Sequence, residues 1–492
     1  MFRLLPYLPS LAAIVVLGIL FWGKEKSKIC LFAKKNLLPL SLLIFFANGL
    51  VYAREMPYWN PVDEGSHFAY IQFVAENKRL PLLTDRPGEE VLAIKEGVYP
   101  DKPKTKAESA GLAGYIYEAF QPPLYYLAAV PAYWAGGSNF IHKIYVLRIF
   151  NLVQFIVLMA IGYSTLRDIG SFFPRLKHPF VFLGLMFVGF IPSVLARSIA
   201  AGNAVTSMIF ASLAFWRMAK IFSSGRSVTL KDAAVLGVFT ALAILSKFNL
   251  LFLVPVVIFF FFADYYRNLC RARLDWRERG KKVLLQSFLY LVVAGIMISP
   301  WLAFNEFNYG TMTANTQARE QQKAVVNPLE EKADFGYFRT NISTFMSTVW
   351  TPEETRWKAL DADQTFCYTK IIHILNSFLI LSFLLSALIV FGRLWSDSEK
   401  EKEGLLYIVL LAFVFTAAVT GQQFYAAIEE DWPILIRVGR YVHPAIVPIA
   451  AVFIFILEEF YAKLKIPKTA LYLFCLVPAG LNFGYVFTLL AK

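Results

Sequence analysis

Residues 36–70 read NLLPLSLLIFFANGLVYAREMPYWNPVDEGSHFAY. The first half, Asn36 to Tyr52, is an apolar run close to the length that a helix needs to cross ~30 Å of hydrocarbon at ~1.5 Å per residue. The second half leaves that run through Pro57 and Pro61 and at once presents two adjacent carboxylates, Asp63 and Glu64, followed by His67 and Tyr70. The stretch therefore reads as a membrane exit placed directly before a cluster of ionisable groups.

Runs of this kind recur through all 492 residues, which are 57% hydrophobic, 16% aromatic and 17% charged, with a mean hydropathy of +0.53. Such a composition sets aside the ordinary soluble class and predicts an all-α polytopic membrane protein with one transmembrane domain over 1–492. About 12 spans are expected, at roughly 4–22, 36–52, 144–166, 179–195, 203–220, 232–246, 248–263, 283–304, 369–391, 405–424, 443–461 and 469–490. The stretch LGVFTALAILSKFNLLFLVPVVIFFFF reads either as two short helices meeting near Lys247 or as one broken element. MFRLLPYLPSLAAIVVLGILFW resembles a signal peptide but lacks a small-residue cleavage site and precedes the basic GKEKSK, so it is expected to be a retained span.

The formal charge is +13, and its placement decides what it means. With 36–52 directed outward and the spans alternating, six short loops fall on one side, at 23–35, 166–178, 217–231, 264–282, 392–404 and 462–468. They hold 25 of the 48 Lys and Arg, whereas the short segments on the other side carry Arg3, Arg197, Lys247, Arg437, Arg440 and Lys492. By the positive-inside rule the first set is cytoplasmic, so the basic excess reports topology and not a nucleic-acid partner. Cys30, Cys270, Cys367 and Cys475 form no disulfide framework and no metal-ligand spacing.

Two loops, 53–143 and 305–368, are too long to be connectors, and both fall on the extracytoplasmic side. The first predicts a folded cap with one or two helices parallel to the membrane. The second is polar and then aromatic, and reads either as a substrate lid or as a linker. Within the first loop, Asn60 as N-cap and Pro61 at the first helical position predict a helix from the membrane surface to just before Pro81, with Asp63 and Glu64 in its first turn. Asp63, His67, Tyr70 and Val74 would share one stripe, and Glu64, Phe68, Ile71 and Ala75 the next. First-turn acids also complement the helix dipole by ~0.3–1 kcal/mol, so the pair alone names no chemistry. Further along, YEAFQPPLYYLAAVPAY (117–133) sets Glu118 and Gln121 beside a proline pair, and VLRIFNLV sets Arg148 and Asn151 at the outer mouth of the third span. Boundary punctuation and snorkelling are the plain readings of these two.

Taken in order, DExxHxxY, QPPLYY, LRxFN, IPSVLARSIAAGNAVTS, GxxxALAILSKFNLLFLVP, PWLAFNEFNYG and GRYVHPAIVPIA resemble the GT-C superfamily of membrane glycosyltransferases. Within it the match is to a bacterial family of polytopic proteins grouped with protein O-mannosyltransferases and lipid A aminoarabinose transferases, over about residues 55–455. Gln121 departs from the His-Pro-Pro that O-mannosyltransferases carry there. The resemblance implies a GT-C fold and an inverting transfer, without a covalent intermediate, from a polyprenyl-phosphate-linked sugar to a glycan, lipid or protein acceptor of the cell envelope. The reaction would occur at the extracytoplasmic face of the inner (cytoplasmic) membrane, with membrane lipid as the surrounding partner. Asp63 would be the catalytic base, with Glu64 beside it.

Such a displacement needs a base for the acceptor proton and cations for the phosphate as charge develops on it. The outer-side cations nominate Arg440 first, then Lys247, Arg148 and Arg437. His67, Tyr70, Glu118 and Gln121 would orient Asp63 or bind sugar hydroxyls, while His443 and His373 read as packed or interfacial. No metal is expected to be required, although an acidic pair is able to recruit a divalent ion. The rival reading is a transporter or flippase for a lipid-linked substrate, in which charges lie near the midplane. The two part on whether Asp63, Lys247 and Arg440 share one outward cavity.

Overall fold

Caps and prolines set where the helices of this chain begin and end. The computed structural model describes residues 2–24, 26–58, 63–88, 91, 115–170, 177–272, 276–314, 317–318, 443–452, 454, 472 and 476–490. All regular elements among them are helical: α1 (Leu8–Trp22), α2 (Lys28–Lys35), α3 (Leu37–Glu55), α4 (Glu64–Asn77), α5 (Leu124–Ala135), α6 (Phe140–Gly170), α7 (Lys177–Gly189), α8 (Pro192–Ile199), α9 (Ala204–Ser223), α10 (Leu230–Ser246), α11 (Leu253–Ala272), α12 (Trp276–Tyr309), α13 (His443–Val452) and α14 (Val477–Leu490). Short 3-10 turns precede α1, α5 and α11.

Five helical segments among the described residues are long and apolar enough to cross a membrane, or six if the bent pair α7–α8 counts as one. The expected spans 369–391 and 405–424, and much of the last two, lie outside the described residues. Instead of a single helix over 179–195, the chain forms two helices bent by 64°, with Pro192 opening the second. Proline at a first helical position forgoes only a backbone donor that would have no intrahelical partner, so a break there costs little.

At Lys247 the two-helix alternative holds. A capping box between Thr229 and Asp232 starts α10. The helix ends at Ser246, Lys247 is extended (φ −156°, ψ 120°), and a 3-10 turn over Phe248–Phe252 leads into α11. The helix after the membrane exit also begins later than its sequence pattern suggests. Glu64 is its first residue and Asp63 its N-cap, and it stops at Asn77, where Lys78 turns left-handed. Helix α2, capped by the Ser27 side chain accepting from Cys30 N, was not anticipated.

Helix α9 packs between α6 and α10, α10 lies along α12, and α3 lies along α6. The α3–α6 contact is close because Gly49 has no side chain: a Cβ there would overlap Leu152. Gly49→Val is therefore expected to cost about 1–3 kcal/mol by overpacking, read as a lower unfolding midpoint in detergent. Helices α1, α3 and α14 are joined by a buried polar cluster. Asn482 exchanges hydrogen bonds with Asn48 (3.2 and 3.0 Å), accepts from Tyr52 OH (2.9 Å) and donates to Ser10 Oγ (3.0 Å).

The described part of the first long loop is folded. Helices α4 and α5 pack on each other and α5 on α6, around a core that includes Phe68, Ile71, Tyr125 and Tyr133. The other end of the bundle carries basic groups tied to acids: Arg217 and Arg226 both reach Asp232 at 2.5 Å, and Arg267 reaches Asp264 at 2.5 Å.

Candidate active site

The C-terminal end of a helix presents carbonyls with no intrahelical partner, and a guanidinium is well suited to them. At the end of α3 that guanidinium is Arg148, fully buried on α6. Its Nη1 donates to Ala53 O (3.1 Å) and Met56 O (2.6 Å), and its Nη2 donates to Pro57 O (2.9 Å). The remaining donors form a fork on Glu64, Nε to Oε1 at 2.9 Å and Nη2 to Oε2 at 2.7 Å. All five N–H groups of Arg148 are engaged, so it anchors the exit from α3 and does not face a ligand. That corrects its expected role as a phosphate ligand. Glu64 also accepts from Ala201 N at 3.0 Å, which fastens the loop after α8 to the start of α4.

One turn along α6, Asn151 Nδ2 donates to Ala200 O, and to Gly202 O at 3.2 Å. Two residues on one helical face thus fix both the Asp63–Glu64 turn and the α8–α9 loop. Asp63, between them, has φ 79°. Left-handed backbone is uncommon outside glycine, although Asp and Asn tolerate it best. The Asp63 carbonyl accepts from His67 N at 2.9 Å, while its carboxylate Oδ2 lies 3.9 Å from Nη1 of Arg197 on α8.

These groups face a cavity of about 530 Å³ of empty space, open solvent at its mouth included, lined by Asp63, Glu64, His67, Arg197, Asn203, Lys247, Asn249 and His443 among others. Asp63 and Lys247 therefore share one cavity. Arg440 and Arg437 lie outside the described residues, but His443 and Pro444 of the same VGRYVHPA stretch line the cavity. Arg197, counted among the outer-side cations but not selected from sequence, is the guanidinium that the fold brings to Asp63.

Four expected site residues stand back from the wall: Arg148, Tyr70, Glu118 and Gln121. Tyr70 stacks on Tyr126 with ring centroids 3.6 Å apart and planes 7° apart, and its hydroxyl donates to Gln121 O at 3.4 Å. Burial, with Glu118 nearby, pushes both phenols well above their ordinary range and keeps them neutral. Tyr126 OH meets His67 Nδ1 at 2.8 Å, and Glu118 Oε2 lies 3.9 Å from the same nitrogen. Glu118, Tyr126 and Tyr70 thus support His67 from behind. A Cβ on Gly202 would stand 2.9 Å from the His67 ring, so glycine leaves room for it. Among the described residues, no group of three or more His, Cys, Asp or Glu could hold a metal ion.

No family model matches the sequence, and no curated protein matches it. Solved structures do. The apo form of the Archaeoglobus fulgidus oligosaccharyltransferase matches with a TM-score of 0.52 at 11% identity, covering 93% of this chain and 56% of that one. The archaeal oligosaccharyltransferase AglB from the same organism, in complex with an inhibitory peptide and a dolichol-phosphate, matches with a TM-score of 0.52 at 12% identity, over 94% and 56%. The chain spans little more than half the length of these proteins. What the likeness establishes is the architecture: this chain has the GT-C fold of the archaeal oligosaccharyltransferase.

Proposed function

We propose that the chain is an inverting glycosyltransferase that moves a sugar from a polyprenyl-phosphate-linked donor to a hydroxyl-bearing or amide-bearing acceptor at the outer face of the membrane. The observation that carries this reading is Asp63 beside Arg197 in a cavity that Lys247 also lines. A carboxylate next to cations is what the displacement needs, and one of the neighbours with this fold has been solved with a dolichol-phosphate and a peptide.

In this scheme the donor phosphate sits against Arg197 and Lys247, with Arg440 and Arg437, which precede His443 in sequence, as further candidates. Phosphate competes with Asp63 for Arg197, which releases the carboxylate to accept a proton. The acceptor oxygen or nitrogen attacks the anomeric carbon, and its proton passes to Asp63. The bond from that carbon to the phosphate oxygen breaks, and its electron pair leaves on the lipid phosphate, which the cations hold. Phosphate leaves without protonation, so no second acid is required, and Glu64 is free to serve as the fixed partner of Arg148. His67 orients the acceptor or a sugar hydroxyl. In this reading the α4–α5 cap lies over the outer membrane surface; most of the expected lid at 305–368 falls outside the described residues.

The test is transfer in liposomes. With the protein present, label from radiolabelled polyprenyl-phosphate monosaccharides is expected to leave the lipid and appear in an acceptor-linked product. Movement of intact labelled lipid between leaflets without cleavage of the sugar–phosphate bond would point to the flippase reading instead.

A further inference from the structure

Asn203 is the N-cap of α9, a position where asparagine ordinarily accepts a hydrogen bond from the first turn of the helix. Here it does not. Its backbone lies in the right-handed region (φ −77°, ψ −1°), and its side chain makes no capping bond. The residue is completely buried, yet among the described residues neither Oδ1 nor Nδ2 meets a hydrogen-bond partner. Asn203 belongs to the wall of the cavity that Asp63, Arg197 and Lys247 also line. Asn249, two residues beyond Lys247 on the same wall, likewise leaves its Oδ1 without a partner.

A buried amide with both ends open is costly unless something in the site completes it. The chemistry of the missing partner is constrained. A phosphate offers acceptors only, so it would satisfy Nδ2 but leave Oδ1 facing another oxygen. An apolar chain would satisfy neither. Two neighbouring hydroxyls on a sugar ring fit both atoms, one donating to Oδ1 while the other accepts from Nδ2. Ala200 and Ala201, both small, line the same cavity beside Asn203.

Resting on the glycosyltransferase reading, we infer that Asn203 is a specificity-determining residue that binds adjacent hydroxyls of the donor sugar, with Asn249 supplying a further acceptor. The donor sugar is the source because it is bonded directly to the phosphate that Arg197 and Lys247 hold in the same cavity. Sites built to hydrogen-bond a hydroxyl reject analogues that lack it, since their own buried groups are then left open.

The experiment measures binding and transfer by the full chain in detergent, using bare polyprenyl phosphate, a polyprenyl-phosphate hexose and its monodeoxy analogues. The native protein is expected to bind the glycosylated lipid more tightly than the bare one and to lose about 10- to 100-fold when one particular hydroxyl is removed. Asn203→Ala should bind bare polyprenyl phosphate as the native protein does, lose that discrimination between deoxy donors, and unfold at no lower temperature, because the side chain makes no hydrogen bond among the described residues. If Asn203→Ala discriminates among deoxy donors like the native protein, the assignment is wrong while the glycosyltransferase reading stands. A variant that loses bare-lipid affinity together with thermal stability shows a structural residue and also overturns it. Failure of the native protein to bind either lipid removes both readings.

Discussion

Asp63→Asn is expected to lower the rate of sugar transfer by at least about 100-fold, in the range that loss of a positioned general base produces, while leaving the fold intact. Asparagine is the informative replacement for a physical reason. Asp63 holds φ 79°, and asparagine is the other side chain that adopts this conformation with little strain, whereas alanine would mix a backbone penalty with the loss of charge. The carbonyl that caps α4 is unchanged, so the His67 N–H bond survives. Donor affinity should hold or improve, because Arg197 loses a competitor for the phosphate. The expected signature is a fall in kcat with a KM that is unchanged or lower. Transfer at the native rate by a folded Asp63→Asn protein would end the base assignment.

The second large effect falls on stability. Arg148 and Glu64 are both fully enclosed and joined by a two-point fork. Removing one partner from such a pair leaves an uncompensated buried charge and typically costs about 3–5 kcal/mol. For Arg148→Met the loss should be at the upper end, since three carbonyls at the exit from α3 lose their donors as well. The expected result is poor folded yield or a strongly lowered melting temperature in detergent. The double variant Arg148→Met/Glu64→Gln should recover part of the loss, a coupling that a mutant cycle measures directly. Had Arg148 been a phosphate ligand, its removal would raise donor KM and leave melting nearly unchanged, and that outcome would return Arg148 to the phosphate site.

The membrane class and the position of the acidic pair were legible because both are local. A long apolar run is read from its own residues, and Asp63–Glu64 follows such a run within about a dozen positions. Lys247 was legible for the same reason, as a charge between two apolar stretches. What escaped was pairing across distance. Arg148 looked like an outer-side cation because nothing nearby in sequence reveals that Glu64, 84 residues earlier, takes its fork. Tyr70 shares a helical stripe with Asp63 and His67, but whether the stripe meets solvent or another ring depends on Tyr126, brought in by α5. Arg197 and Asn203 lie in the quoted stretch IPSVLARSIAAGNAVTS, and Pro192 and Gly202 were available signals that a helix could not run straight through it. Reading 179–195 as one span hid both residues, because a charge at the frayed end of a straight span suggests anchoring whereas one beside a break suggests a site.

The cluster on Asn482 also dictates an order of events during synthesis. Asn48 and Asn482 are separated by 434 positions, so the second asparagine leaves the ribosome roughly 20–90 s after the first at ordinary elongation rates. Through that interval the nascent α3 holds an amide and a phenol in the bilayer without their eventual partners. Its insertion is therefore provisional until α14 arrives, and two helices far apart in the chain mature together.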